Sequence, residues 1–322
     1  MKETAVLIHG ASRASSVRSS TRTSRCGRNS ARPRSCGVAD SEREGAVMVP
    51  YHGTPIGCLE RNRSVLEGRN LVLTWTSYAR KVKGERTSEP TQSAVAHAGV
   101  AGSLLLDCGA FPYWRAQQRG QNPKPLDVPT VIEWYRQMIA LGRPTEVIIP
   151  DVIMGSEWEN DKLIKSFPPD LRDQAWPVWH TEDALFRLVR LAWKFGRVCI
   201  GPMGSHSHVT GKAYTLRMIE AFNAITRDAP GTKLHALRGL QLAGGPFPFA
   251  QADSTDAGRN WSQTPHRLRT CLDRWDRRAK TTSKTWDFRM TTEAIYTQVR
   301  QRSIFDLPPL HRWSTDTFRM PS

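Results

Sequence analysis

Ser103-Leu104-Leu105-Leu106-Asp107-Cys108-Gly109-Ala110-Phe111 is an apolar run of strand length that closes on an aspartate and a glycine. Six further runs of this kind follow or precede it, at 71–75, 146–150, 177–180, 197–201, 233–237 and 248–253. Amphipathic helical segments lie between them. Leu185, Leu188, Val189 and Ala192 keep i, i+3, i+4, i+7 spacing after Thr181, which is read as the cap. Tyr214, Met218, Ala221, Phe222 and Ile225 do likewise. Alternating strand and helix patterns of this sort build a parallel sheet covered by helices. Seven strands are one short of a closed eight-stranded barrel, so an eighth is expected near 49–51 or in the C-terminal region. The fold expected is α/β, a TIM-type (β/α)8 barrel over residues 48–290.

The flanks differ in character. Residues 1–47 are rich in Ser and Arg, lack aromatics, hold nine Lys/Arg against four Asp/Glu, and show no periodicity. They are expected to form a disordered basic extension, with translation normally starting at Met48. Residues 259–322 hold thirteen Lys/Arg against six Asp/Glu and carry Trp261, Trp275, Trp286 and Trp313. Closing helices and then a basic tail over 291–322 are expected there. The formal charge of +16 points to a polyanionic partner. No apolar run reaches the roughly 18 residues of a membrane span, and the Arg-rich start has no signal-peptide centre, so the expectation is a cytoplasmic protein without membrane contact. The six cysteines (Cys26, Cys36, Cys58, Cys108, Cys199, Cys271) are scattered without metal-site spacing and read as free thiols.

In a barrel, reactive side chains sit at the C-terminal strand ends, where the βα loops converge. That rule selects Asp107, Asp151, His180, Gly201 and Asp253. Each aspartate, taken alone, reads equally well as a helix cap. Together they can divide the work of nucleophile, proton acceptor and base recognition. Gly109 and Gly201 suit either a tight turn or the close approach of a flat ligand. His52 and His235 lack metal-site spacing and read first as ordinary hydrogen-bonded histidines; no metal site is expected.

The run from Leu105 to Phe111 resembles the Asp-Ser-Gly-Gly-Phe strand end of the tRNA-guanine transglycosylase superfamily. Ala252-Asp253-Ser254-Thr255-Asp256-Ala257-Gly258-Arg259-Asn260 is similar to the family's nucleophile strand end. Tyr51-His52-Gly53-Thr54-Pro55, Ile149-Pro150-Asp151-Val152-Ile153 and Lys233-Leu234-His235-Ala236-Leu237-Arg238 look closer still to phage and prophage relatives, some of which modify DNA. The likeness spans about residues 49–260. Two departures stand out: the family's C-terminal zinc cluster is missing, and Cys108 and Ala110 replace a Ser and a Gly.

The resemblance implies replacement of guanine in nucleic acid by a 7-deazaguanine, with DNA favoured over tRNA and no cofactor. Asp253 is the implied nucleophile, in preference to Asp256, and Asp107 the proton acceptor. Asp151, Cys108, Gly109, Phe111, His180, Gly201 and His235 are expected around the base. Arg259, Arg267, Arg269, Arg274, Arg277, Arg278 and Lys280 are expected on phosphates, with a solvated helical face as the plainer reading. The alternatives are a barrel glycosidase working with paired aspartates and a non-catalytic nucleic-acid-binding barrel.

Overall fold

The structure, a computed structural model, describes residues 48–54, 59–255, 258 and 264–305. The extension at 1–47, Arg259 and the tail beyond 305 lie outside the described residues. Eleven strands are defined: β1 (Val49–Gly53), β2 (Asn70–Thr74), β3 (Ala79–Val82), β4 (Glu85–Pro90), β5 (Ser103–Asp107), β6 (Thr145–Ile148), β7 (Ala175–Trp176), β8 (Val178–His180), β9 (Arg197–Gly201), β10 (Lys233–Ala236) and β11 (Gln251–Ser254). Nine of them form one parallel sheet in the order β7-β6-β5-β2-β1-β11-β10-β9-β8, which curls into a nearly closed barrel. β1 is the eighth strand the sequence called for, and it pairs with both β11 and β2. The antiparallel hairpin β3–β4 and the two-residue β7 were not expected.

Parallel neighbours need crossovers, and helices Leu59–Leu66, Gln92–Val100, Val128–Ile139, Glu157–Ser166, Leu185–Phe195 and Lys212–Asp228 supply them. Strands buried on both faces read as continuous apolar runs, and the period of two sorts their side chains. Leu104, Leu106 and Cys108 point outward into the core beneath the helices, while Leu105 joins Tyr51, Val72, Ile148, Trp176, Val178 and Cys199 inside the barrel. Below this inner apolar layer the lumen is polar. The Glu146 carboxylate accepts from Gln251 Nε2 (2.6 Å) and Tyr51 Oη (3.4 Å) and pairs with Arg197 (3.4 Å). Above it lie the strand ends that carry the candidate chemistry.

Two local readings are corrected. Thr181 does not cap the helix Leu185–Phe195: its hydroxyl accepts from the Met203 N–H (3.0 Å), and the Ala184 N–H at the helix start donates to Glu157 (2.6 Å). The helix Thr292–Phe305 falls inside the segment read as a tail, and it buries Ile295 and Val299 in the core. Between β10 and β11 the chain makes only a 3-10 turn, Leu240–Leu242. Among the described residues no helix is long and apolar enough to cross a membrane.

Candidate active site

At the C-terminal ends of the strands a pocket of ≈ 580 Å³, open to solvent, is lined by Asp107, Asp151 and Asp253 together with Phe111, His180, Gly201 and Arg238. Val72, Ile148, Ile153 and Leu237 give it apolar walls. The three aspartates therefore share one cavity. The cap readings of Asp107 and Asp151 fail: the helix after β5 starts from Gly109, and the one after β6 is capped by Ser156 in a capping box with Glu159.

Asp107 ends β5 with its carboxyl turned inward. Burial, then the nearby charges of Asp151 and Asp253, push its pKa up to about 7; the Gly109 backbone N–H and the Cys108 thiol oppose the rise. Gly109 has φ +82°, and a side chain there would overlap Thr76. Only glycine meets both demands, and this turn aims its N–H at Asp107. Asp151 Oδ2 lies 2.9 Å from His180 Nε2. A Cβ on Gly201 would come within 2.8 Å of the His180 ring, so the glycine makes room for that imidazole.

Asp253 Oδ1 takes two contacts: the Arg238 N–H at 2.7 Å and His235 Nε2 at 3.1 Å. His235 is fully buried and does not line the pocket; it supports Asp253 from below. The expectation that it meets substrate is thus corrected. Cys108 is corrected too. With Asp107 facing in, the period of two sends Cys108 out into the helix-side core, where burial holds its thiol well above the ordinary value. Phe111 lies in the pocket wall.

Sequence reasoning missed Arg238. Its backbone sits at φ +54°, its guanidinium lies 4.0 Å over the Phe111 ring, and Nη2 donates to the Pro202 carbonyl (3.1 Å). Positive φ in a non-glycine residue costs on the order of 1–3 kcal/mol and gathers at functional sites. The strand-end rule that picked the aspartates would have found it, because it follows β10 directly. Arg187 was missed as well, hidden in an apolar stripe. It is fully buried, donates to Asp183 (2.7 Å), Asp161 (3.0 Å) and the Val178 carbonyl (3.0 Å), and Asp183 in turn accepts from the His180 N–H (3.0 Å). This network fixes the end of β8 and with it His180.

The C-terminal part of the basic cluster lies away from the mouth. The helix Pro265–Ala279 follows β11 and runs back along the barrel, and Thr282 just beyond it donates to Met48 Sδ (3.8 Å) and accepts from the Gly244 N–H (2.8 Å). Met48 precedes β1, so Arg274, Arg277, Arg278 and Lys280 lie toward the opposite rim. Arg278 donates to the Ala243 carbonyl (3.1 Å), and Arg274 and Arg278 both flank Trp275. Arg269 is bonded to the Ser64 carbonyl (2.8 Å), while Arg267 and Arg277 are exposed. Asp273 and Asp276 of the same helix pair with Arg69, and Asp276 also meets His52 (2.8 Å). Those contacts dock the helix on the barrel.

Among the described residues no group of three or more His, Cys, Asp and Glu side chains is arranged to hold a metal ion. Comparison with known protein families, characterised proteins and solved structures finds no match for this chain.

Proposed function

We propose that the chain is a base-exchange transglycosylase that replaces guanine in nucleic acid with a 7-deazaguanine through a covalent Asp253 intermediate. The observation that carries this reading is the sharing of one pocket by three carboxyl groups, with Asp107 raised to about 7. Titratable groups whose environments push them apart are the mark of divided acid–base and nucleophilic work. In the reaction proposed, an Asp253 oxygen attacks C1′ and the C1′–N9 bond breaks. The electron pair leaves on guanine, which takes the Asp107 proton. An incoming 7-deazaguanine then attacks C1′ through its N9 and returns its proton to Asp107 as the Asp253 ester bond breaks. Asp151, held by His180, and the backbone at Gly201 are assigned to the hydrogen-bonding edge of the base. A base inside a duplex must be flipped out or already unpaired to reach such a mouth.

We further assign the barrel to the (β/α)8 TIM type, with β7 and β8 as halves of one strand broken at Pro177. The Trp176 carbonyl accepts from the Ile149 N–H (2.9 Å) and the Pro177 carbonyl from the Cys199 N–H (2.9 Å), so adjacent residues bond to the two ends of the sheet. Counted this way, eight strands surround the pocket.

Incubation of DNA and of tRNA with radiolabelled guanine tests the function. The wild-type chain is expected to incorporate label into one of the polymers, and Asp253→Asn to form no adduct stable in a denaturing gel. Release of guanine to water without incorporation would identify a hydrolase instead.

A further inference from the structure

The hairpin β3–β4 grows out of the short helix Trp75–Tyr78 that follows β2, beside the Asp107 turn: Thr76 of that helix is the residue packed against Gly109. It is tied down at its root. Trp75 Nε1 donates to the Thr87 carbonyl (3.0 Å), Arg86 Nε to the Thr76 carbonyl (2.7 Å), and the Thr91 N–H to the Tyr78 carbonyl (2.8 Å). Its tip is a two-residue turn, Lys83-Gly84, with both φ values positive (51° and 84°). Such a turn matches strand twist but favours Asn or Gly at its first position, so a lysine there is held at a conformational cost. Lys81, Val82 and Lys83 are exposed, and among the described residues neither lysine meets a carboxylate. Arg80 and Arg86 are otherwise engaged, the first with Glu89 (2.6 Å).

A second basic element joins the tip to the pocket. Glu85 at the start of β4 pairs with Lys124, in the loop after the helix Ala110–Gln118. That helix carries exposed Arg115 and ends at exposed Arg119, its C-cap, and Phe111 in its first turn is a wall of the pocket. The Arg115 guanidinium lies 5.9 Å from the centre of the same Phe111 ring that Arg238 meets at 4.0 Å. Basic residues thus stand at the pocket wall and at the hairpin tip, and the Lys124–Glu85 pair ties the two elements together.

We propose that the hairpin β3–β4 and the helix Ala110–Gln118 form a basic track that holds the phosphodiester backbone of a nucleic-acid strand while one of its bases occupies the pocket. The proposal rests on the reading of the partner as nucleic acid, and it assigns the contact to this track, not to the helix Pro265–Ala279. Removing one cation that neutralises a phosphate lowers the slope of log affinity against log salt by about 0.7–0.9.

The test measures anisotropy of a fluorescein-labelled single-stranded DNA 20-mer and of an RNA hairpin between 50 and 200 mM NaCl, with the full chain and no free base present. Lys83→Gly removes the cation and relieves the turn, so its melting temperature is expected to hold or rise. Combined with Lys81→Gln it is expected to lower the salt slope by about 1.5 and to weaken binding roughly 10- to 30-fold near 0.1 M salt. Arg115→Gln with Arg119→Gln is expected to do the same, and Arg277→Gln with Lys280→Gln to change neither quantity. Unchanged slopes in the track variants, a fall confined to Arg277→Gln/Lys280→Gln, or no binding of either probe by the wild type overturns the proposal. Binding along the track without incorporation of labelled guanine would refute base exchange and leave the track standing.

Discussion

Replacing Asp107 with asparagine removes a carboxyl group that folding has shifted from 3.8 to about 7. A shift of about three units at ~1.4 kcal/mol each gives a ceiling of ~4 kcal/mol, and because the side chain opens partly onto a wet pocket we expect roughly half of it. The sign follows from proton uptake. Between the two pKa values the folded state binds more protons than the unfolded one, so stability falls as pH rises from about 4 to about 7 and is level above that. The protonated carboxyl is accommodated; the charged one is strained by burial and by Asp151 and Asp253. Urea unfolding of wild type and Asp107→Asn at intervals from pH 4.5 to 8.5 isolates the effect. The stability of the wild type relative to the variant is expected to drop by about 1–2 kcal/mol across that range, nearly all of it below pH 7.5. Parallel curves would mean that Asp107 titrates as an ordinary aspartate, and the acid–base role assigned to it would fall.

Two further substitutions test the groups that hold the site in place. His235→Ala withdraws a charge-assisted contact from Asp253, worth about 1.5–3 kcal/mol, so kcat is expected to fall about 10- to 100-fold with KM for the free base unchanged; a matched rise in KM would place His235 in binding instead. Arg187→Met leaves Asp183 and Asp161 without their buried partner and is expected to cost about 3–5 kcal/mol in urea unfolding, with a loss under 1 kcal/mol counting against the network.

The strand runs were legible because both faces of each strand are buried, so apolar residues follow one another without a gap. β1 was harder to place, since Pro50 and His52 interrupt its run. The register explains why they are tolerated. β2 meets β1 only from His52 onward, so Pro50 needs no N–H on that side, and its carbonyl accepts from Asn70 Nδ2 (3.3 Å). His52 faces outward to Asp276, a contact between residues far apart in sequence. The hairpin β3–β4 left no apolar alternation to read, because it is held by backbone contacts at its root and by a Lys-Gly turn in place of the usual Asn-Gly. Within the site the aspartates were readable from strand ends alone. Cys108 was misassigned because adjacency in a motif overrode the alternation of strand side chains, which sends it to the outer core, whereas His235 does face the lumen but, two residues before Leu237 of the pocket wall, lies a level below the pocket.

That lower level bears on how Asp253 is tuned. Glu146 accepts from Gln251 Nε2, which turns Gln251 Oε1 toward His235 Nδ1 at 3.2 Å. An amide oxygen only accepts, so His235 Nδ1 is the donor in that contact. Its other nitrogen faces Asp253 Oδ1, and a carboxylate also only accepts. The polar floor of the barrel therefore sets the orientation of the ring beneath the nucleophile: Glu146 holds Gln251, Gln251 holds His235, and His235 meets the Asp253 carboxylate. On the proposed reaction this matters most in the second half, when the incoming base must expel Asp253 from C1′. A ring held 3.1 Å beneath the departing carboxylate keeps its oxygen aligned for that step.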